Sequence, residues 1–529
     1  MAKKVQEKKT KQQEKVKRSK SNKSLAKNEV TFRRTGHFWN DLGVIALWRL
    51  LAELSSEYKK DEDGNPIAVF KDVECVLSVE QLTLIGKERA VHQILERASK
   101  SLLNQVWLPT KSGKMWWSGP SAFLYAGQNN PKFLTPYHKM AEKSQWKNDG
   151  HCHVCGRIDL PIRTTGTGYN PLLVSVEKMS GFYSELKGGY KICQACAFAA
   201  PFAPSQTWFS YGDGFLSLTL LWPVGIDFLS ADQFLRQTSG LRLQGDSTHN
   251  YPHAFGYANK TVSCFLDLIC SLWEQSRTSI SKNVFEMAMS GVQFHALQVS
   301  KPNARSNVIS IDRYQVFPDP TGVLRLVQAC DQGSKQGKLW NVMSAVLNQM
   351  YIRRKEGADT RLLEATANEI VARSQVEGTI EARVQKAIDD LQKDTSVAEN
   401  IFAFRRFMSI YLKEVKDMAN DMLPALQSVG ETLGQMVKIT DDRSILYNLR
   451  NARNADDLLE VLSRVLVRHS DKFIAGEVKL WRDSVRDVTE FIDDKNWRRA
   501  RSLLGIYAGL KFIEMSHKKS SGTPTPTNP

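Results

Sequence analysis

Two pairs of cysteines are the residues of this 529-residue chain whose types and spacing most plainly specify a chemistry. Cys152-His-Val-Cys155 and Cys193-Gln-Ala-Cys196 each hold two thiols three positions apart, with 37 residues between the pairs. Two thiolates on one tight turn reach the same ion, and two such turns complete a tetrahedral four-cysteine site of the structural zinc type. Gly156, just after the first pair, supplies the backbone freedom that such a turn uses. The gap exceeds the roughly 15–20 residues usual between zinc-ribbon pairs, so a small hairpin or loop must fill it, and Thr164-Thr-Gly-Thr-Gly-Tyr-Asn-Pro171 has a suitable composition. Rival readings are a redox dithiol, for which thioredoxin-like surroundings are missing, and buried free thiols. His151 precedes the first pair and His153 lies within it, as substitute ligands or as surface residues. A fully thiolate set leaves no open coordination position for a substrate water, which points to structure and away from catalysis.

No catalytic signature accompanies the cysteines. A zinc deaminase needs His-x-Glu followed by Pro-Cys-x-x-Cys, whereas Gly150-His151 and Lys191-Ile192 precede the pairs here. Gly333-Ser-Lys-Gln-Gly-Lys338 has one residue too few between its glycines for a phosphate loop, and Leu339 stands where Ser or Thr is required, so it reads as a polar turn. The chain is expected not to be an enzyme.

The elements that position the cysteines follow from composition. Residues 1–34 carry thirteen Lys or Arg against three Glu, while from Trp340 onward twenty-nine basic residues face twenty-seven acidic ones. Of the net charge of +16, the tail thus holds +10 and the body is only mildly basic. Residues 1–30 have too little apolar content to offset ordering entropy and read as a disordered basic tail, as do the last residues, 517–529. Residues 31–339 read as a mixed α/β body. Val44, Ile45, Leu47, Trp48, Leu50 and Leu51 mark a buried helix after Thr35–Gly43, and Ile67–Phe70 and Glu74–Val79 are strand-like stretches beside the turn Asp61-Glu-Asp-Gly-Asn-Pro66. The zinc-binding element occupies about residues 150–200. Fourteen of the eighteen prolines precede residue 340, and only Pro424 lies between Trp340 and Gly522. Helical spacing recurs there (Val342 to Tyr351; Ile380 to Leu391; Phe404 to Val415; Leu458 to Leu466), and Asn454 with Asp456 and Asp457 forms a capped helix start. Residues 340–516 therefore read as an all-α helical bundle, which makes the fold class α+β with an inserted four-cysteine, zinc-ribbon-like element. Cys75, Cys264, Cys270 and Cys330 read as buried apolar residues. No apolar run reaches membrane-spanning length and no secretory signal opens the chain, so the expected location is the cytoplasm of a prokaryote, without membrane contact.

Three features in this order resemble one family. They are Thr35-Gly-His-Phe-Trp-Asn-Asp-Leu-Gly43-Val-Ile-Ala-Leu47, the paired cysteines near one third of the length, and a long helical C-terminal region. The chain is similar to the large subunit of type I CRISPR interference complexes, in the CxxC–CxxC branch associated with subtype I-B. The resemblance spans residues 31–516; the basic tail departs from it. It implies a non-catalytic subunit that recognises a protospacer-adjacent motif in double-stranded target DNA, aids strand opening and stabilises the R-loop. Implied partners are guide RNA, the displaced single strand, the backbone, handle-binding and small subunits, and downstream a nuclease-helicase or a transposition adaptor. The helical end resembles the small subunit, for which Met343 or Met350 would be internal starts. The alternative is a zinc-ribbon scaffold with a helical protein-interaction domain and a nucleic-acid-binding tail.

Reading a short motif from the minor groove favours amides and Lys, which Gln128, Asn129, Asn130 and Lys132 supply on a loop; a polar surface turn is the competing reading. Lys111, Lys114, Trp116 and Trp117 offer backbone contact and base stacking, or core. Arg353, Arg354, Lys355, Arg405, Arg406, Arg498, Arg499 and Arg501 are the densest basic clusters of the bundle, as a track for displaced single-stranded DNA or as solvated helix faces.

Overall fold

The computed structural model describes residues 29–53, 69–71, 74–78, 147–158, 160–165, 190–200, 208–212, 217–225, 260–277, 282–300, 310–335, 338–354, 357–359, 361–392, 399–416, 418, 422–476, 478 and 482–520. The protein is mostly helical with a few small sheets and a helical C-terminal region. Among the described residues no helix is long and apolar enough to cross a membrane. Two compact units divide the chain: residues 1–261 with 276–321, and residues 262–275 with 322–529. The compositional change at residue 340 falls inside the second unit.

The first unit opens with β1 (Glu29–Arg33) and α1 (Phe38–Glu53). Between them the chain turns sharply, and Asp41 holds the turn. Its carboxylate accepts from the Thr35 amide (2.6 Å), the Thr35 hydroxyl (2.7 Å) and the Gly36 amide (3.0 Å). A buried acid so engaged satisfies the backbone donors of the turn that leads into the helix. Trp39, Leu42, Val44, Ile45 and Leu47 are buried, as the apolar spacing requires. β1 forms an antiparallel sheet, order β1-β3-β2, with β2 (Val69–Lys71) and β3 (Glu74–Ser78), which coincide with the strand-like stretches of the sequence. A second sheet, β4 (Lys147–Gly150), β5 (Leu160–Thr165) and β6 (Tyr190–Cys193), runs directly into the short α2 (Gln194–Ala199). The third is a four-stranded antiparallel sheet, order β10-β9-β8-β7, of β7 (Trp208–Gly212), β8 (Ser217–Gly225), β9 (Val292–Ser300) and β10 (Ser310–Phe317). Between β8 and β9 come α3 (Thr261–Ser276) and α4 (Lys282–Met289).

The second unit takes in most of α3, whose first amides, Val262 N and Ser263 N, donate to the Glu364 carboxylate at 3.3 and 3.1 Å. It continues with α5 (Thr321–Ala329), β11 (Asp331–Lys335), β12 (Lys338–Asn341) and α6 (Val342–Met350). Of the glycine-containing stretch, residues 333–335 lie in β11 and Lys338 in β12, and residues 336–337 fall outside the described residues. After β13 (Ile352–Arg354) and β14 (Gly357–Asp359) the unit is helical: α7 (Arg361–Val371), α8 (Glu377–Gln392), a 3-10 turn at Glu399–Phe402, α9 (Ala403–Lys416), α10 (Met422–Thr440), α11 (Ser444–Asn451), α12 (Ala455–Arg468), α13 (Ser470–Ile474), α14 (Arg482–Phe491) and α15 (Trp497–Ser520). The expectation of an all-helical stretch over 340–516 is corrected here: β13 pairs antiparallel with β14, Arg353 opposite Ala358 and Arg354 opposite Gly357. The apolar helical spacing ends at Tyr351, before either strand begins.

The long α15 is the axis of this unit, packed on one side by α10 and on another by α8. Close approach is achieved with glycine. A Cβ on Gly434 of α10 would lie 2.2 Å from the Ala508 carbonyl oxygen, and one on Gly509 of α15 would lie 2.5 Å from Val384 of α8. The Asn454 cap is present as expected: its side chain accepts from Asp457 N at 2.7 Å, and the Asp457 carboxylate accepts from Arg453 N at 3.1 Å. Leu458, Leu462 and Val465 of α12 are buried in line with their spacing.

Candidate metal centre

Each cysteine pair sits where a strand ends. The first lies in the turn between β4 and β5: Gly156 N donates to Cys152 O at 2.9 Å and Cys152 N to Arg157 O at 2.8 Å, closing a knuckle with Gly156 at φ +70°. The second begins at the last residue of β6 and continues into α2, with Cys193 as the extended residue before the helix. β5 pairs with β6, Ile162 opposite Cys193, which brings the two turns side by side. The gap between the pairs is therefore spanned at both ends by a strand pairing. Thr164 and Thr165 lie in β5, and residues 166–171 of the expected loop fall outside the described residues.

Cys152, Cys155, Cys193 and Cys196 form one cluster whose sulfurs all lie within 4.8 Å of one another. The Cys155 and Cys193 sulfurs are 3.8 Å apart, and all four cysteines are free thiols. A tetrahedral ion with metal–sulfur bonds of ~2.3 Å sets its ligands ~3.8 Å apart. One pair already meets that spacing, and the rest need close by no more than about 1 Å. The four cysteines are close enough to hold a metal ion, and the donor set is compatible with structural zinc. His151 is exposed, and His153 lies against it with ring centroids 5.6 Å apart; neither joins the thiol cluster.

The surroundings are built to receive negative charge. Cys193 N donates to Cys152 Sγ at 3.2 Å, the backbone-to-sulfur contact that orients a thiolate ligand. Arg157 donates through Nε to Cys155 Sγ at 3.5 Å and through Nη2 to Thr31 O at 2.9 Å, joining the first knuckle to β1. Hydrogen bonds from Cys152, then Cys193 and Cys196, draw the Cys155 thiol far below its ordinary range. At Cys152 the bond with Cys155 raises the pKa, but those with Cys193 and Cys196 prevail and bring it to about 6. Cys193 and Cys196 are pushed up, chiefly by their bonds to Cys152 and Cys155 and then by burial. The first negative charges in this dry pocket make the next ones costly, and a divalent cation is what relieves that repulsion.

The centre is tied to the opening segment. α2 packs against α1 and β1, with Phe32 and Phe198 edge to face at 6.2 Å. At the crossing, a Cβ on Gly43 would lie 2.2 Å from the Ala199 carbonyl oxygen, so only glycine lets α1 approach the backbone that follows Cys196. Sequence reasoning missed Arg157 and this role of Gly43. An arginine two residues after a knuckle was the available signal for the first, and nothing local signals the second.

The other expected site residues are dispersed. Gln128, Asn129, Asn130, Lys132, Lys111, Lys114, Trp116, Trp117 and Lys355 lie outside the described residues. Arg353 and Arg354 are on β13, in a strand where a helix was expected. Arg405 pairs with Glu431 (3.3 Å) and Glu514 (3.6 Å), Arg499 with the buried Glu377 (3.1 Å), and Arg501 with Glu381 (3.9 Å). Arg406 and Arg498 are exposed, the latter over the Trp497 ring at 5.3 Å. No family model matches the sequence, and no curated protein matches it.

Proposed function

We propose that the chain is the non-catalytic large subunit of a type I, I-B-like CRISPR interference complex, built around a structural zinc ion. The body would be α+β with a zinc-ribbon-like insertion, followed by a bundle resembling the small subunit. The observation that carries this reading is the union of its two motifs. The Thr35–Leu47 segment and the second cysteine pair are about 150 residues apart in sequence, yet Gly43 and Ala199 meet backbone to backbone. Asp41 and Gly43, the polar and small residues of that segment, each have a physical task there: one holds the turn, the other admits the cysteine helix. A closed thiolate site of this kind stabilises a fold and offers no position for substrate.

In this role the chain recognises an adjacent motif in duplex DNA, aids opening and steadies the R-loop alongside guide RNA and the backbone, handle-binding and small subunits. A nuclease-helicase or a transposition adaptor follows downstream. Within the bundle, Arg406 and Arg498 are the members of the expected basic clusters that best suit a displaced strand, since Arg405, Arg499 and Arg501 are matched by acids. That same internal matching favours a second reading, a zinc-ribbon scaffold whose helical unit binds protein. Co-expression with the neighbouring genes and purification through this chain separates the two. A short repeat-derived RNA and backbone subunits should co-elute in fixed ratio; protein partners without RNA would overturn the first reading in favour of the second.

A further inference from the structure

The four sulfurs of the metal centre are not equally sheltered. Cys152, Cys193 and Cys196 are buried, and Cys155 is the one that is only half-buried. Thiolate ligands depend on donors in the surrounding protein to orient them and to spread their negative charge. The two sulfurs of the first knuckle obtain those donors differently. Cys152 Sγ accepts from a backbone amide, Cys193 N, at 3.2 Å. Cys155 Sγ accepts from a side chain, Arg157 Nε, at 3.5 Å.

Arg157 makes three contacts that converge on this ligand. Its own carbonyl accepts from Cys152 N at 2.8 Å, which closes the knuckle, and its Nη2 donates to Thr31 O of β1 at 2.9 Å. Among the described residues no carboxylate pairs with the guanidinium, so the Cys155 sulfur is the anion beside it. β1 is an edge strand of its sheet, and its buried Phe32 rests on Phe198 of α2, the helix that carries Cys196. The strand is thus attached to both knuckles. An apolar contact joins it to the second, and a guanidinium fork, with one arm on Cys155 and one on Thr31, joins it to the first.

We propose that Arg157 is a positioning residue that guards Cys155, the ligand open to solvent, and couples retention of the metal ion to the seating of β1. A thiolate engaged in a charge-assisted hydrogen bond is held in place and is less available to an electrophile or a competing chelator. The coupling is reciprocal: if the bound ion steadies the contacts of Arg157 with β1, a seated β1 tightens the hold on the ion to the same degree. This rests on the reading of the four cysteines as a zinc centre and adds to it the ligand at which exchange begins and the strand that responds.

The full-length, zinc-loaded chain is compared with Arg157→Gln and Arg157→Lys. Zinc affinity is read by competition with a chromogenic chelator, the order of cysteine alkylation by N-ethylmaleimide by peptide mass spectrometry, and the seating of β1 by amide hydrogen exchange at residues 29–33. In the wild type Cys155 should react first, and zinc removal should speed exchange at 29–33 without changing it in α12. Arg157→Gln is expected to weaken zinc binding about ten-fold, the lower end of the range for an outer-sphere partner. It should also speed alkylation of Cys155 ahead of the other three and leave exchange at 29–33 fast with or without zinc. Lysine keeps a charge, but one ammonium does not reproduce the two-armed fork. Arg157→Lys should therefore restore slow alkylation while exchange stays fast. The proposal is overturned if Arg157→Gln binds zinc as tightly as wild type, or if it frees all four sulfurs together, the mark of a purely structural role. Should that variant not fold, the wild type decides: another cysteine reacting before Cys155, or exchange at 29–33 indifferent to zinc, overturns the proposal. A wild-type chain that takes up no zinc refutes the metal reading itself, whereas bound zinc with unaltered behaviour of the Arg157 variants refutes the role of Arg157 alone.

Discussion

Gly43→Ala is the substitution that most sharply probes how the opening helix depends on the cysteine element. A methyl group at this position meets Ala199 O at 2.2 Å, Ala199 C at 2.7 Å and Ala200 N at 3.2 Å, all backbone atoms that no side-chain rotation can move aside. Carbon-to-oxygen contacts settle near 3.3 Å, so α1 and the end of α2 must separate by about 1 Å. Overpacking of this kind costs ~1–3 kcal/mol, while alanine regains up to ~1 kcal/mol of helix propensity over glycine. The expected net loss is on the order of 1–2 kcal/mol, because rigid backbone places the clash toward the upper end. Cys196 lies on the displaced helix, so zinc transfer to a chromogenic chelator should also speed up. Chemical denaturation and chelator competition read the two effects. Gly36→Ala is the control: φ is +77° and no atom lies within 4 Å of the added methyl, so it should cost stability through backbone strain and leave zinc release unchanged. A Gly43→Ala protein as stable as wild type, with unchanged zinc release, would refute the packing argument.

Removing the cap with Asn454→Ala should lower the stability of the helical unit by ~1 kcal/mol, measured as a fall in unfolding midpoint, and Asn454→Asp should restore most of it. Gly434→Ala should destabilise the same unit through the 2.2 Å approach to Ala508 O, whereas Gly378→Ala, with nothing within 4 Å, should not. The His295 pKa is depressed to about 4, so the folded state favours the neutral ring. Its contribution to stability is complete above the unfolded value of ~6.5 and is lost as the pH falls from there toward 4. NMR titration should find its midpoint near 4, higher in Arg34→Gln, and a midpoint near 6.5 in the wild type would remove the burial argument.

The parts of this protein legible in its sequence are those governed by short-range rules. The two knuckles announce themselves by thiol spacing and Gly156, and the strand after the first, with the strand before the second, meets the need to bridge a long gap. Periodic apolar residues located α6, α8, α9 and α12, and Asn454 marked the start of α12, because a cap and a 3.6-residue repeat are properties of a dozen neighbouring residues. The β13–β14 hairpin was hidden since three-residue strands are too short to show alternation. Arg405, Arg499 and Arg501 read as surface charge because their acids lie on other helices, as does Glu377 of α8 opposite Arg499 of α15. Gly43 lies at the same limit: its need for glycine arises from Ala199, which nothing in the local sequence identifies.

The central claim is that four thiolates share one ion. Native mass spectrometry with X-ray absorption on protein purified without added metal tests it directly. One zinc ion per chain, four sulfur neighbours at ~2.3 Å and loss of that ion in Cys193→Ser are expected. Substoichiometric metal, nitrogen or oxygen in the first coordination sphere, or a disulfide within or between the pairs would contradict it.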